Sequence, residues 1–115
     1  MSLAACGAGA KLAPNELYVH GVSYPDATTA HVGKAFSASP AARCEYGDGR
    51  PSEWATTGAR VSAGDLPPGI KLDDGVLTGT PTKAGTYHAT IEFHGVACGG
   101  KPFPDQRAGV TINVR

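Results

Sequence analysis

His88, Glu92 and His94 are the residues of this chain whose types and spacing come nearest to a reactive site. Side chains alternate across a strand with a period of two, so all three share one face if this segment is extended. Glu92 and His94, two apart, could share a metal ion, but His88 lies further along and no third ligand is identifiable. A metal-assisted hydrolase built on these residues is the one enzymatic reading; the competing reading is a solvated strand face. Asp73 and Asp74 could hold calcium, although a tight turn through Asp73-Asp74-Gly75 accounts for both. Asp48 and Glu53 beside Trp54 could form a sugar-binding patch, or a polar loop with one aromatic packed beneath it. There is no GxSxG elbow, HExxH, P-loop or paired CxxC, and Gly7-Ala8-Gly9 lacks a third glycine and follows no strand. We therefore expect no enzyme, no cofactor and no metal.

The elements that carry these residues are strands. Of 115 residues, Gly supplies 16 and Pro nine, which marks many turns between short extended runs. Net charge is zero and no basic stripe is present, so nucleic acid is not an expected partner. No apolar run is long enough to span a bilayer. Apolar residues never repeat at i, i+3, i+4, i+7 for long enough to make a helix. Strands are expected at Leu17 to Val22, Val32 to Ser37, Arg43 to Tyr46 and Arg60 to Ala63. Lys71-Leu72 and Val76-Leu77-Thr78 flank a hairpin turn in which Gly75 takes positive φ. The strongest strand is Gly85 to Gly95, with Tyr87, Ala89, Ile91 and Phe93 toward a core and His88, Thr90, Glu92 and His94 toward water. Val110, Ile112 and Val114 repeat the alternation in a last strand expected beside it. The loop between them, Val96 to Arg107, is the longest candidate recognition loop or else a rigid crossover. About seven or eight strands at this spacing suggest an all-β antiparallel sandwich.

Two resemblances add to this reading. Leu3-Ala4-Ala5-Cys6 resembles the lipobox of bacterial lipoproteins, in which small residues lead to a cysteine that becomes lipidated. The following Gly7-Ala8-Gly9-Ala10 is similar to the tether such proteins carry. On this reading residues 1–15 are a lipobox remnant and tether, residues 16–115 are the folded domain, and the protein is exported and lipid-anchored in a bacterial envelope. That anchor is its only expected contact with a membrane.

The segment LPPGIKLDDGVLTGTPTKAGTYHATIEF, Leu66 to Phe93, resembles the immunoglobulin-like, cadherin-related domain family of bacterial surface and secreted proteins. Upstream, YPDATTAHVGKAFSAS is similar to the family's approach to its second strand, with two extra residues and Phe36 in the aromatic position. Residues from Pro40 to Gly58 depart from the pattern. The resemblance implies structural roles for Pro67, Pro68 and Gly69, which stiffen and then turn the chain, and for Gly79 and Pro81, which end the second hairpin strand. Gly85 and Tyr87 are implied to form a tyrosine corner, its hydroxyl bonding back to the backbone.

The second core cysteine of an antibody-type domain would fall at Ala89, so the usual inter-sheet bridge is absent. Given an oxidising compartment, with Cys6 assigned to lipid, a Cys44 to Cys98 disulfide is the favoured pairing. Cys6 paired with either partner, or two free thiols, are the rivals. The favoured bridge would pin the atypical Pro40 to Gly58 segment against the Val96 to Arg107 loop. Tyr46, Arg50, Trp54, Lys101 and Phe103 on those segments are the candidate binding surface, with Trp54 and Phe103 as core caps the competing reading. The function these observations favour is a non-catalytic binding or structural module meeting a protein or a carbohydrate. The alternative is an accessory subunit of an envelope complex or secreted enzyme.

Overall fold

The structure, a computed structural model, describes residues 13–25 and 27–115. Cys6 and the expected lipobox lie outside the described residues. Twelve strands form among them: β1 (Leu17–Ser23), β2 (Thr29–Ala30), β3 (Phe36–Ala38), β4 (Ala41–Tyr46), β5 (Trp54–Ala55), β6 (Gly58–Gly64), β7 (Ile70–Asp73), β8 (Val76–Gly79), β9 (Gly85–His94), β10 (Ala97–Cys98), β11 (Lys101–Pro102) and β12 (Gln106–Val114). Eight of these have three residues or more, which is the expected all-β, immunoglobulin-like sandwich; the other four are two-residue pairings.

One layer is the four-stranded sheet β2-β12-β9-β6; the other is divided into the β1-β4 pair and the β3-β8-β7 sheet, with a small β11-β10-β5 sheet at one end. Alternation decides which side chains meet between the layers. Ala89, Ile91 and Phe93 of β9 and Ala108, Val110, Ile112 and Val114 of β12 are buried with Val22 of β1, Ala38 of β3, Ile70 of β7 and Leu77 of β8 in one core. β9 and β12 pair along nearly their whole length, from Phe93 opposite Gln106 to Gly85 opposite Val114. Strand β2 joins the far side of β12 in parallel, with Thr29 opposite Asn113. Strand β6 is the other edge and carries a bulge between Val61 and Ala63.

The β7-β8 hairpin closes through Asp74 and Gly75, both at positive φ, the mirror-image turn that matches strand twist. The backbones at Gly69 and Gly79 cross closely: a Cβ on Gly69 would run into the Thr80 carbonyl, and one on Gly79 into the Gly69 carbonyl. Both glycines also hold positive φ, so the motif requires them twice over. Pro67 and Pro81 are fully buried beside them, while Pro68 is exposed. The Tyr87 hydroxyl donates to the Lys83 carbonyl at 3.1 Å, completing the tyrosine corner, and the Gly85 position lies against the same ring.

Three expectations are corrected. Val32 to Ser37 is mostly a turn, with Gly33 at φ 79° donating its N–H to the Pro81 carbonyl; only Phe36 and Ser37 belong to a strand. Cys98 is not in an open loop, because the Val96 to Arg107 segment folds into β10 and β11. Glu92 is not wet: it is 7% exposed although it points to the outer face.

Candidate functional site

The small end sheet is organised by a second two-residue turn. Gly99 and Gly100 both take positive φ, so Cys98 pairs with Lys101 and Ala97 with Pro102. On its other side β10 pairs with β5, placing Cys98 opposite Trp54. Cys44, buried on β4, is joined to Cys98 by a disulfide with a Cα separation of 5.6 Å. The favoured cysteine pairing is therefore the one present, and it ties the β4-β5 segment to the β10-β11 hairpin as expected. The Gly99 N–H donates to the Glu53 carbonyl at 2.7 Å, a further tie between the same segments.

The five candidate surface residues divide into two kinds. Trp54 is partly buried and meets Phe93 edge to face at 6.0 Å, and Phe103 also packs on the core, so both have the capping role. Arg50 and Lys101 are exposed, and each seats its cation over an aromatic ring: Arg50 over Tyr46 at 4.4 Å, Lys101 over Phe103 at 5.6 Å. The segment just before β1 links the two pairs. Asn15 accepts from the Arg50 guanidinium at 3.2 Å, and Glu16 pairs with Lys101 at 3.2 Å while its carbonyl accepts from the Gly47 N–H. Asp48 is held ionised below the usual carboxylate range by the Arg50 N–H first, then by the Arg50 guanidinium. The Asp48 and Glu53 pairing proposed with Trp54 does not form: Asp48 turns to Arg50, and Glu53 is engaged here through its carbonyl.

Across the outer face of the large sheet, register aligns Arg60 of β6, Glu92 of β9 and Arg107 of β12 in one row. Glu92 Oε1 accepts from Arg60 at 2.6 Å and Oε2 from Arg107 at 3.2 Å. The Arg107 hydrogen bond first, and Arg60 with it, hold the Glu92 carboxyl below its ordinary range in spite of its burial. His94 bonds Asp105 through Nδ1 at 3.0 Å, while its Nε2 accepts from Arg60 at 3.3 Å. His88 is elsewhere, bonded to the Thr111 hydroxyl at 2.9 Å. Glu92 and His94 of the metal-site reading do meet, His94 Nε2 lying 3.5 Å from Glu92 Oε1, but His88 does not join them, and both oxygens of Glu92 accept from guanidinium groups. Asp73 and Asp74 sit at the hairpin turn.

Sequence reasoning missed Tyr24 entirely. It is buried, packs against Phe93 at 6.0 Å and donates its hydroxyl to the Gly75 carbonyl at 2.7 Å, and burial pushes its pKa up to about 12. It also missed the β10-β11 hairpin, whose signal was the Gly99-Gly100 pair, and Asn15 and Glu16, for which no local signal exists.

A family model described as "Putative Ig domain" matches residues 19–99. A search of curated proteins finds no match. Among solved structures, a chain described as a "putative alpha-galactosidase/melibiase" from Bacteroides fragilis NCTC 9343 is similar at 19% identity and a TM-score of 0.44, over 88% of this chain and 18% of that one. A second, a "putative alpha-galactosidase" from the same organism, is similar at 17% identity and a TM-score of 0.44, over 92% of this chain and 19% of that one. The chain thus spans under a fifth of each of these proteins.

Proposed function

The chain belongs to this family of immunoglobulin-like domains, and from that premise we propose that it is a non-catalytic binding module of an exported, lipid-anchored envelope protein, meeting its partner, a protein or a carbohydrate, at the disulfide-tied end. The observation that carries the reading is the pair of exposed cations, Arg50 and Lys101, each seated on an aromatic ring. Both belong to segments cross-linked by a buried disulfide. Side chains ordered in advance lose less entropy on association, and Arg and Tyr contribute strongly to interfaces. The disulfide favours an oxidising compartment, which suits export. Glu92, held between Arg60 and Arg107, offers no free carboxylate for metal or proton transfer, which supports a binding role over hydrolysis.

Two experiments test this. Envelope extracts and glycan arrays probed with the purified domain identify the partner class; Arg50→Ala combined with Lys101→Ala should lower capture with the melting temperature unchanged. Capture that persists in the double variant would move the site away from this end. For the anchor, the full-length precursor made in bacteria should partition into detergent, and Cys6→Ser should release it; partitioning that does not change removes the lipoprotein reading.

A further inference from the structure

We propose that the outer face of the four-stranded sheet holds a second site, separate from the disulfide-tied end, for one anionic pyranose unit of an acidic polysaccharide, with its carboxylate or sulfate ester on Arg60 and Arg107 and its ring over Gly109.

The charge comes from an unequal pairing. Arg60 on β6 and Arg107 on β12 both stand opposite Glu92 on β9, and each donates to one oxygen of that carboxylate. Two guanidinium groups over one carboxylate leave one positive charge, in a chain whose net charge is zero. Glu92 is the covered member, its side chain 9% exposed, whereas those of Arg60 and Arg107 are 63% and 71% exposed. Arg60 commits its Nε to His94, and Asp105 pairs with His94 and with neither arginine among the described residues. Both guanidinium groups keep Nη1 donors that have no protein partner among the described residues. A guanidinium held in place beforehand loses less freedom on meeting an anion, and its planar fork suits a carboxylate or an oxyanion ester.

The neighbouring rows select the ring. In two of them the residues opposite each other on β9 and β12 bond side chain to side chain, Thr86 with Asn113 and His88 Nδ1 with Thr111, each at 2.9 Å. The next row breaks this pattern, because Thr90 faces Gly109, which has no side chain to offer. Among the described residues Thr90 is engaged through its carbonyl, by the Ser62 hydroxyl, and not through its own hydroxyl. A Cβ on Gly109 would meet nothing within 4 Å, and a hollow of about 290 Å³ opens there, lined also by Thr90, His88, Thr111, Ala63 and Gly64. That is close to the small end of ligand sites, room for one ring. The Thr90 hydroxyl and His88 Nε2 give ring hydroxyls their partners inside the hollow itself. The arginines are not part of its lining. They stand in the next outward row, about 7 Å along the strands, which a charged ring substituent and its hydrogen bond span together. No apolar side chain points outward from β9 or β12 on this face among the described residues, so a protein partner would lack the apolar centre on which interfaces are built.

The test is an amide NMR titration of the full chain with the methyl pyranosides of glucuronate and galacturonate, their neutral methyl esters, methyl glucoside 6-sulfate and N-acetylglutamate amide. Saturable shifts at Arg60, Thr90, Arg107 and Gly109 are expected with at least one of the three anionic sugars, at millimolar affinity, and the sulfate arm tells the two kinds of charge apart. The methyl esters should bind about tenfold more weakly, the loss expected for one hydrogen bond to a charged group, and Arg107→Gln should weaken the acids by as much. Arg107→Lys keeps a cation over Glu92, and should still weaken binding severalfold because an ammonium lacks the fork. Arg50→Ala should leave binding as it was. Absence of shifts at these amides with all three anionic sugars overturns the proposal. So do esters that bind as well as the acids, N-acetylglutamate amide that binds as tightly as the sugars, shifts confined to Arg50 and Lys101, or equal binding by Arg107→Lys and the parent chain.

Discussion

The motif-bearing half of the molecule and its disulfide-tied end are held together by different means. In the first, Gly69 and Gly79 cross where only glycine fits, Pro67 and Pro81 are buried beside them, and Ile70 and Leu77 enter the core. Backbone shape and apolar burial do most of the holding there. At the other end the strands β5, β10 and β11 are two residues each, too short to be stable as a sheet. A covalent bridge takes the place of a large core, and two cation-aromatic pairs and two ion pairs, Arg50 with Asp48 and Lys101 with Glu16, order the surface side chains above it. The lesson is that a region can be given its own surface residues once its shape no longer depends on burying them.

Phe93 is where the two halves meet, since its ring touches Tyr24 beneath the hairpin turn and Trp54 beneath the tied end. Phe93→Ala should therefore have the largest effect, a loss of about 3 to 5 kcal/mol read from denaturant midpoints, and should loosen both halves together. Replacing Cys44 and Cys98 by Ala should cost about 2 to 4 kcal/mol, with faster amide exchange concentrated in residues 47–55 and 97–103. Equal loss of protection in the β7-β8 hairpin would show that the halves are not independent. Next come the two tyrosines: Tyr87→Phe and Tyr24→Phe each remove one hydrogen bond to a carbonyl, worth about 1 kcal/mol. Tyr24 ionises less readily when folded, so the stability it lends is intact below about pH 10 and is lost as pH rises toward 12. Tyr24→Phe should flatten this alkaline limb. Smallest of all, Arg50→Ala and Lys101→Ala should each change stability by under about 0.5 kcal/mol, since exposed pairs contribute little.

The first half was legible because its information is local. Asp74-Gly75 names its own turn, and the alternation from Tyr87 to Phe93 names both faces of β9. Tyr87 needs only carbonyls three and four residues away. Elsewhere the deciding partner is distant. β2 exists because β12, over 80 residues later, offers a parallel edge. Glu92 is dry because two registers bring arginines from separate strands over it, and no pattern within β9 could say so. Tyr24 is drawn inward by the carbonyl of Gly75, 51 residues away. Of the candidate surface, the aromatic and cationic types were legible and core capping by Trp54 and Phe103 stood as the competing reading, but the seating of Arg50 on Tyr46 and of Lys101 on Phe103 was not.

The parallel β2-β12 pairing has a mechanical consequence. The N–H of Asn113 donates to the Thr28 carbonyl, that of Arg115 to the Ala30 carbonyl, and that of Val32 to the Arg115 carbonyl, all at 2.9 Å. β9 grips the opposite side of β12 along its length. Tension applied along β12 loads these bonds simultaneously in shear instead of peeling them one after another. Rupture then requires many to fail at once, so a domain pulled through this strand resists extension by a slow unfolding step, whatever its equilibrium stability.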